Sequence, residues 1–431
     1  MSAPQQLARV VGLPGAIWIG LGSIVGTGVF VSLGLGAALA GPALPLVLVA
    51  AASLAVMNGL SSARLAAAHP VSGGSYAYAR RFVHPLAGFA AGWMFLAAKS
   101  ASAAAAARGF AGYLGARLGV GESSVFEAAA AAGAVLIVTA LVAGGLQRSS
   151  RVNIALVVVT VGSLLLFSVH AASWAGWTAV VSSLGAAFTA LPTRPVADLL
   201  QATAILFVAY TGYGRIATLG EEVREPARTI PRAILATLAI ALLLYFVVAV
   251  SAAAAVGDAG LAAASRDGAL LERIARETEA PGLAWLVSLG AAAAMAGVLL
   301  NLLLGLSRVL LAMAREGEMP APLVAVEATL GSPARAVWVA GGLVAILALT
   351  LDVAATWTFS AFTVLLYYGL THLAALRLPS ATRGDRFLAG LGLAACLGLA
   401  CFVPPMVWAA GIGLLGAGFG LRAVLLRGAK R

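Results

Sequence analysis

Gly20-Leu-Gly22-Ser-Ile-Val-Gly26-Thr-Gly28-Val-Phe30 is the stretch that decides the fold. It lies inside an apolar run from about residue 13 to 39, and a bilayer core takes about 20 helical residues. Each glycine inside a helix costs about 1 kcal/mol relative to alanine, so this span is prone to unwind near its middle. Gly22 and Gly26 also make a GxxxG pattern, which marks a helix-packing face. Taken alone, the stretch supports both readings.

A second stretch shifts the balance. Phe207-Val-Ala-Tyr210-Thr-Gly212-Tyr-Gly214-Arg215 carries paired glycines and polar groups at the middle of a later span, the sixth. Five spans separate the starts of the two, and an odd number makes the second set enter the membrane from the opposite side. Two broken helices at corresponding places in inverted repeats are the sequence pointer to a transporter binding site.

The composition agrees with a membrane solvent. The chain has 431 residues, 61% hydrophobic and 10% charged, and its mean hydropathy is +1.00. Soluble domains carry about 25% charged residues. Spans are expected at about 13–39, 43–66, 86–112, 125–146, 152–172 and 197–219. Six more are expected at about 233–256, 283–313, 335–351, 355–376, 386–403 and 405–426. Only Pro404 and Pro405 separate the last two, so a merged pair and eleven spans is the alternative. The first run outlasts a signal peptide's apolar region, so no cleavable signal is expected.

The formal charge of +11 in a soluble protein would suggest a nucleic acid. Here the basic residues are scattered between spans and no nucleic-acid partner is expected. With the N-terminus inside, 20 of the 27 basic residues fall on the cytoplasmic side, including Arg80, Arg81, Arg148, Arg224, Arg232, Arg377, Arg386 and Arg431. Arg108, Arg117, Arg194, Arg266, Arg273 and Arg276 fall outside, and Lys99 lies mid-membrane. The bias predicts a multi-pass protein of the cell (inner) membrane with both termini cytoplasmic. The outer loop from Gly257 to Pro281 holds Leu270, Leu271 and Ile274 among charges, which reads as a short amphipathic helix, either a plain surface helix or a lid.

Enzyme signatures are missing: no GxxxxGK[ST], GxSxG or HExxH occurs. His69, His84, His170 and His372 lie far apart near span ends, and Cys396 and Cys401 point different ways on one helix. No cofactor, metal site, disulfide or required protein partner is expected. Gly411, Gly413 and Gly416 form a GxGxxG without a preceding strand, which reads as helix packing.

The two breaks suit a zwitterion. Opening the first helix bares the Thr27 and Gly28 amides at the positive end of its second half, which attracts a carboxylate. Opening the sixth bares the carbonyls of Val208, Ala209 and Thr211, which with that of Ile24 accept an ammonium.

At these residues the chain resembles the amino acid–polyamine–organocation family. The resemblance lies in Ile24-Val-Gly26-Thr27-Gly28-Val-Phe30, in His69-Pro-Val-Ser-Gly73-Gly74-Ser-Tyr76, and in Glu221-Glu222-Val-Arg-Glu225-Pro226. Ser307-Arg308 and Ala312-Met-Ala-Arg315-Glu-Gly317 extend it to about residue 340. It implies an all-α integral membrane protein of 12 transmembrane helices with the leucine-transporter-like fold. Repeat one would span about 12–175, repeat two about 195–377 and two peripheral helices about 386–427, all in one domain. It implies that Ile24, Gly26, Thr27 and Gly28 hold the carboxylate and part of the amine. Val208, Ala209 and Thr211 would complete the amine site, shaped by Tyr210 and Gly212. The Glu221-Glu222 loop would brace the cytoplasmic end.

Two positions depart from that pattern. Thr160 stands where proton-coupled members have a helix-five lysine, and Lys99 stands near the helix-three glutamate of members resembling cationic amino acid transporters. Lys99 reads either as a proton carrier donating to carbonyls of the broken first helix or as a fixed structural pin. Arg215 reads as a cytoplasmic gate partner of Glu221 and Glu222, or as a snorkelling arginine. Asp198 is expected to cap the sixth span, and Asn301 either faces the cavity or satisfies neighbouring backbone. With no acidic residue at mid-depth, the expected substrates are small or medium neutral amino acids, moved by proton coupling or exchange. The alternatives are a cationic amino acid or polyamine permease, and an amino-acid sensor on the same scaffold.

Overall fold

Glycine and proline punctuate the apolar runs, and the chain turns or breaks where they fall. The structure is a computed structural model that describes residues 9–118, 124–264, 269–327, 331–351 and 353–428. Arg266 and Arg431, used above for orientation, lie outside the described residues, as does the stretch 265–268 of the outer loop. Among the described residues the structure is all-helical, apart from two isolated bridges, Val11 with Val223 and Glu327 with Ser332.

The first apolar segment, Leu13–Ala68, is 56 residues long, well over twice a single crossing. It contains α1 (Leu13–Ile24), a π-helical turn Gly28–Ser32, α2 (Leu33–Ala40) and α3 (Leu44–Ala68). Gly41 makes the turn between α2 and α3 at φ 52°, and a Cβ there would lie 2.2 Å from the Arg194 guanidinium. A short α4 (Ser75–Phe82) precedes α5 (Pro85–Leu118), α6 (Ser124–Ala143) and α7 (Leu146–Ala175). The interrupted span follows as α9 (Val196–Tyr210) and α10 (Gly214–Ala217), after a helix α8 (Trp177–Ala190). Then come α11 (Pro226–Ala264), α12 (Leu270–Glu277), α13 (Pro281–Arg315), α14 (Ala334–Thr350), α15 (Val353–Leu376), α16 (Arg383–Ala400) and α17 (Pro405–Gly428).

Eight described segments are long and apolar enough to cross a membrane, and α14 is a shorter apolar helix. α16 ends at Ala400 and α17 starts at Pro405, so the last two apolar runs are separate helices. Helix α8 has no counterpart in the expected spans. Its Trp177, Val181 and Phe188 are exposed apolar side chains. The expected outer-loop helix is α12, with Leu270, Leu271 and Ile274 buried and the Glu272 carboxylate accepting from Ser288 of α13 at 2.5 Å.

Burial ranks the helices by position. In α15 72% of the apolar window is buried, and in α17 only 11%, so α15 is central and α17 peripheral. α5 packs against both α13 and α15, while α13 also packs on α7 and α11 on α3. Asn153 of α7 ties the centre together: it donates to Trp18 O of α1 at 2.8 Å and accepts from Asn301 of α13 at 2.5 Å. Asn301 also donates to Gly297 O at 2.8 Å, the second of the two roles expected of it. Asp198 lies in the first turn of α9, where its charge suits the helix dipole, but the N-cap is Pro195 and has no side-chain bond. His372 lies near the end of its span, as expected. It is buried in α15, 3.1 Å from the Ser61 hydroxyl of α3, because the close approach of Gly392 in α16 leaves room for the ring.

Candidate functional site

Helix α1 stops at Ile24 because Val25 leaves the helical region, at ψ 89°. Close packing then demands glycine. A Cβ on Gly26 would lie 2.0 Å from Val298 Cγ2 of α13, and one on Gly28 would lie 2.7 Å from Ala209 Cβ. Beyond the break, the Val29 and Phe30 amides donate to Gly26 O at 3.0 and 3.4 Å. This leaves the Thr27 and Gly28 amides at the open, positive end of the second half. The Thr27 hydroxyl is fully buried and has no hydrogen-bond partner.

The sixth span breaks more gently. α9 gives way to a 3₁₀ turn, Thr211–Tyr213, before α10 resumes. The two breaks touch: a Cβ on Gly212 would lie 2.1 Å from Ser23 O. The carbonyls at the crossing are not bare, contrary to expectation. Ile24 O accepts from the Tyr245 hydroxyl of α11 at 2.6 Å, Val208 O from the Thr211 hydroxyl at 2.8 Å, and Thr211 O from Tyr368 of α15 at 3.2 Å. A buried carbonyl without a partner is costly, so neighbouring hydroxyls fill the gaps. Tyr245 and Tyr368 escaped the sequence reading; their signal was a hydroxyl placed mid-span in otherwise apolar helices.

A cavity of about 20 Å³ lies between the breaks, room for about one water. Seven of the expected residues line it: Ile24, Thr27, Gly28, Val208, Ala209, Thr211 and Gly212, joined by Lys99 and capped by Trp357. Gly26 and Tyr210 are not in its wall. Gly26 serves packing against α13, and the Tyr210 ring lies tilted against that of Tyr245, with centroids 5.1 Å apart. None of the lining residues is acidic. Lys99 is 4% exposed and its ammonium donates to the Thr211 hydroxyl at 2.9 Å, 5.9 Å from the Tyr367 ring centre. It therefore contacts the broken sixth helix, not the first, since Tyr245 already holds the Ile24 carbonyl.

Charges gather at one end of this crossing, in pairs the sequence did not predict. Glu222 is gripped by Arg308 of α13 through two bonds, at 2.5 and 3.2 Å. Burial alone would raise the Glu222 carboxyl, but the Arg308 guanidinium overcomes it and holds the group below the ordinary carboxylate range. Glu221 takes Arg315 at 2.8 and 3.1 Å. Arg215 therefore forms no ion pair with either; it donates to the Thr218 hydroxyl at 2.8 Å. Geometry explains the exchange. Arg308 presents a flat fork from a facing helix, while Arg215 shares a short helical turn with the glutamates' own loop. The same loop is clipped to the N-terminus, Val11 N donating to Glu222 O at 3.0 Å and Arg224 N to Val11 O at 2.8 Å.

Next to these pairs, Glu318 accepts from Tyr76 at 2.9 Å and from Arg80 and Arg422 at 3.0 Å each. A larger cavity of about 610 Å³ opens here, lined in part by His69, Ser72, Tyr76, Arg80, Glu221 and Arg315. The molecule thus has a closed central chamber between two discontinuous helices and a charged vestibule at one end.

A polytopic helical protein with a closed chamber at two crossed helix breaks is built as a transporter. The chain belongs to the amino acid permease family, which matches residues 11–426. It is 41% identical to an uncharacterized transporter of Mycobacterium tuberculosis (strain ATCC 25618 / H37Rv), over 99% of this chain and 94% of that one. It is 29% identical to the branched-chain amino acid permease BcaP of Bacillus subtilis (strain 168), covering 80% of this chain and 76% of the permease. With cationic amino acid transporter 3, mitochondrial, of Arabidopsis thaliana it shares 28% identity, over 81% of this chain and 59% of that protein. These relationships make it a transporter and not an enzyme.

Proposed function

We propose that the protein is a secondary active transporter that carries small or medium neutral amino acids across the cell membrane by alternating access. The observation that carries this reading is the meeting of Thr27 and Gly28 with Val208, Ala209, Thr211 and Gly212 around one chamber. The amide end of the first break takes the substrate carboxylate. The ammonium takes the Ile24 and Val208 carbonyls as the Tyr245 and Thr211 hydroxyls release them. At about 20 Å³ the chamber is too small for any amino acid, so binding requires the two breaks and Trp357 to part.

Twelve crossings make up the transporter: α1–α2, α3, α5, α6, α7, α9–α10, α11, α13, α14, α15, α16 and α17. Helices through α7 form one repeat and those from α9 through α15 its inverted counterpart, with α16 and α17 at the edge. The excess of basic residues expected at the vestibule end supports a cytoplasmic location for that face and both termini. There the Glu222–Arg308 and Glu221–Arg315 pairs brace the closed gate. The absence of acidic lining residues and the presence of Lys99 favour neutral substrates over cationic ones.

Lys99 is the coupling group in this reading. Its ammonium rests on Thr211 and must yield as substrate enters, so a proton can leave or join it during the cycle. Counterflow in proteoliposomes tests transport: labelled alanine, serine or a branched-chain amino acid exchanges against unlabelled substrate. Saturable arginine uptake with no competition from those amino acids refutes the neutral assignment. In Lys99→Met, counterflow persists but uptake ceases to respond to an inward proton gradient. Undiminished gradient-driven uptake removes Lys99 from coupling.

A further inference from the structure

We propose that Arg215 is a second carboxylate anchor, one turn beyond the central chamber, which receives the substrate's acid group on its way to or from the vestibule. This inference rests on the transport reading above.

The Arg215 side chain is only 4% exposed. One terminal nitrogen donates to Thr218, while Nε and the other terminal nitrogen, Nη2, have no partner. A guanidinium carries five N–H donors in a fixed fork, and leaving several unmet inside a protein is costly. Nearby acids do not meet them. Glu222 acts on Arg215 electrostatically but gives both oxygens to Arg308, and Glu221 gives both to Arg315. The local charge count is therefore one positive too many, and the unmet donors call for an anion with two oxygens.

Placement says which anion. Arg215 follows Thr211, the residue that holds Lys99, by four positions, about one helical turn. Phe95 precedes Lys99 by the same interval on α5. Both meet at Gly305 of α13, where an added Cβ would lie 3.5 Å from Arg215 Cδ and 3.9 Å from Phe95 Cζ. Glycine there leaves room for a methyl group against the Arg215 side-chain stem and Phe95. A carboxylate leaving the Thr27 and Gly28 amides thus passes Lys99 and then Arg215 before it reaches the vestibule. Each basic group would hold the acid while the previous one lets go.

The test compares the two faces of reconstituted protein. Amine-less acids with the side chains of transported substrates are presented on the vestibule side while uptake from the other side is measured. They inhibit the wild type, and in Arg215→Gln the concentration for half inhibition rises at least about tenfold, the loss of a charge-assisted contact. Half-saturation for substrate at the opposite face moves less than about twofold. Arg215→Lys recovers part of the inhibition.

Gly305→Ala fills the space without removing the charge or forcing a clash, and gives the same one-sided loss. Equal inhibition of wild type and Arg215→Gln overturns the anchor, as does an equal rise in half-saturation at both faces. Replacing chloride by sulfate on the vestibule side separates the sources of anion. A chloride effect that Arg215→Gln abolishes, without any effect of the acids, also overturns it. Wild-type counterflow in the same vesicles reports independently on the transport reading.

Discussion

Replacing Gly212 by alanine puts a methyl group 2.1 Å from Ser23 O, 2.3 Å from its carbonyl carbon and 2.6 Å from Ile24 N. All three atoms are backbone, so no rotamer change relieves the clash. The two broken helices must separate by about 1 Å to restore ordinary contact. Overpacking of this kind costs about 1–3 kcal/mol. The cost falls on the closed state in which the breaks touch, and not on states in which they have parted.

By population arithmetic the closed state should lose a factor of about 5 to 150 relative to open ones. Counterflow, which requires passage through the closed state, should slow accordingly, and detergent-solubilised protein should melt earlier. Gly162→Ala in α7 and Gly133→Ala in α6 meet nothing within 4 Å and serve as controls with unchanged counterflow. Counterflow and melting in Gly212→Ala that match those controls would refute the crossing of the first and sixth helices at this point.

Glu222→Gln leaves Arg308 buried without its counter-ion, and breaking such a pair costs about 3–5 kcal/mol; thermal melting of the purified protein should drop sharply, and Arg308→Met on top should recover part of the loss. Because Arg308 holds the Glu222 carboxyl below its ordinary value, its contribution is complete above the unfolded-state value and disappears as pH falls through the lower folded one. The wild-type melting temperature should follow that course in acid while the double variant's response is shallower. Tyr245→Phe frees the Ile24 carbonyl from its 2.6 Å bond, at a cost of about 1–3 kcal/mol for the unmet acceptor. Substrate, which supplies an ammonium there, should therefore raise the melting temperature of Tyr245→Phe by more than it raises that of the wild type.

The helix breaks were legible because their cause is local. Gly26, Gly28 and Gly212 also stand where a Cβ would collide with a neighbouring segment, a reason the sequence offered only for the Gly22–Gly26 pair, and seven of the nine expected residues share one chamber. What stayed hidden was pairing across long separations. Glu222 and Arg308 stand 86 residues apart, and Glu221 and Arg315 stand 94 apart. Loop proximity instead suggested Arg215, whose guanidinium bonds Thr218 while Arg308 and Arg315 take the two carboxylates. Two of the three hydroxyls that cap the open carbonyls come from α11 and α15, and no local pattern announces a partner contributed by another helix. Helix α8 was missed because Trp177, Val181 and Phe188 are spread through a short, mixed stretch that resembles neither a full span nor an amphipathic face.

The buried charges carry the argument one step further. Glu222 and Arg308 cancel, as do Glu221 and Arg315, so the path from chamber to vestibule keeps Lys99 and Arg215 as surplus positive charge. A second unit charge about 4 Å from a protonated Lys99 costs about 4 kcal/mol at an effective dielectric of 20, or roughly a thousandfold in affinity. A cationic side chain would face that penalty at every step, whereas a neutral amino acid's carboxylate turns it into attraction and leaves its ammonium to the carbonyls of the sixth helix. The proposed preference for neutral substrates therefore rests on the field along the path as a whole, and one substitution at the chamber wall should not reverse it while Arg215 remains.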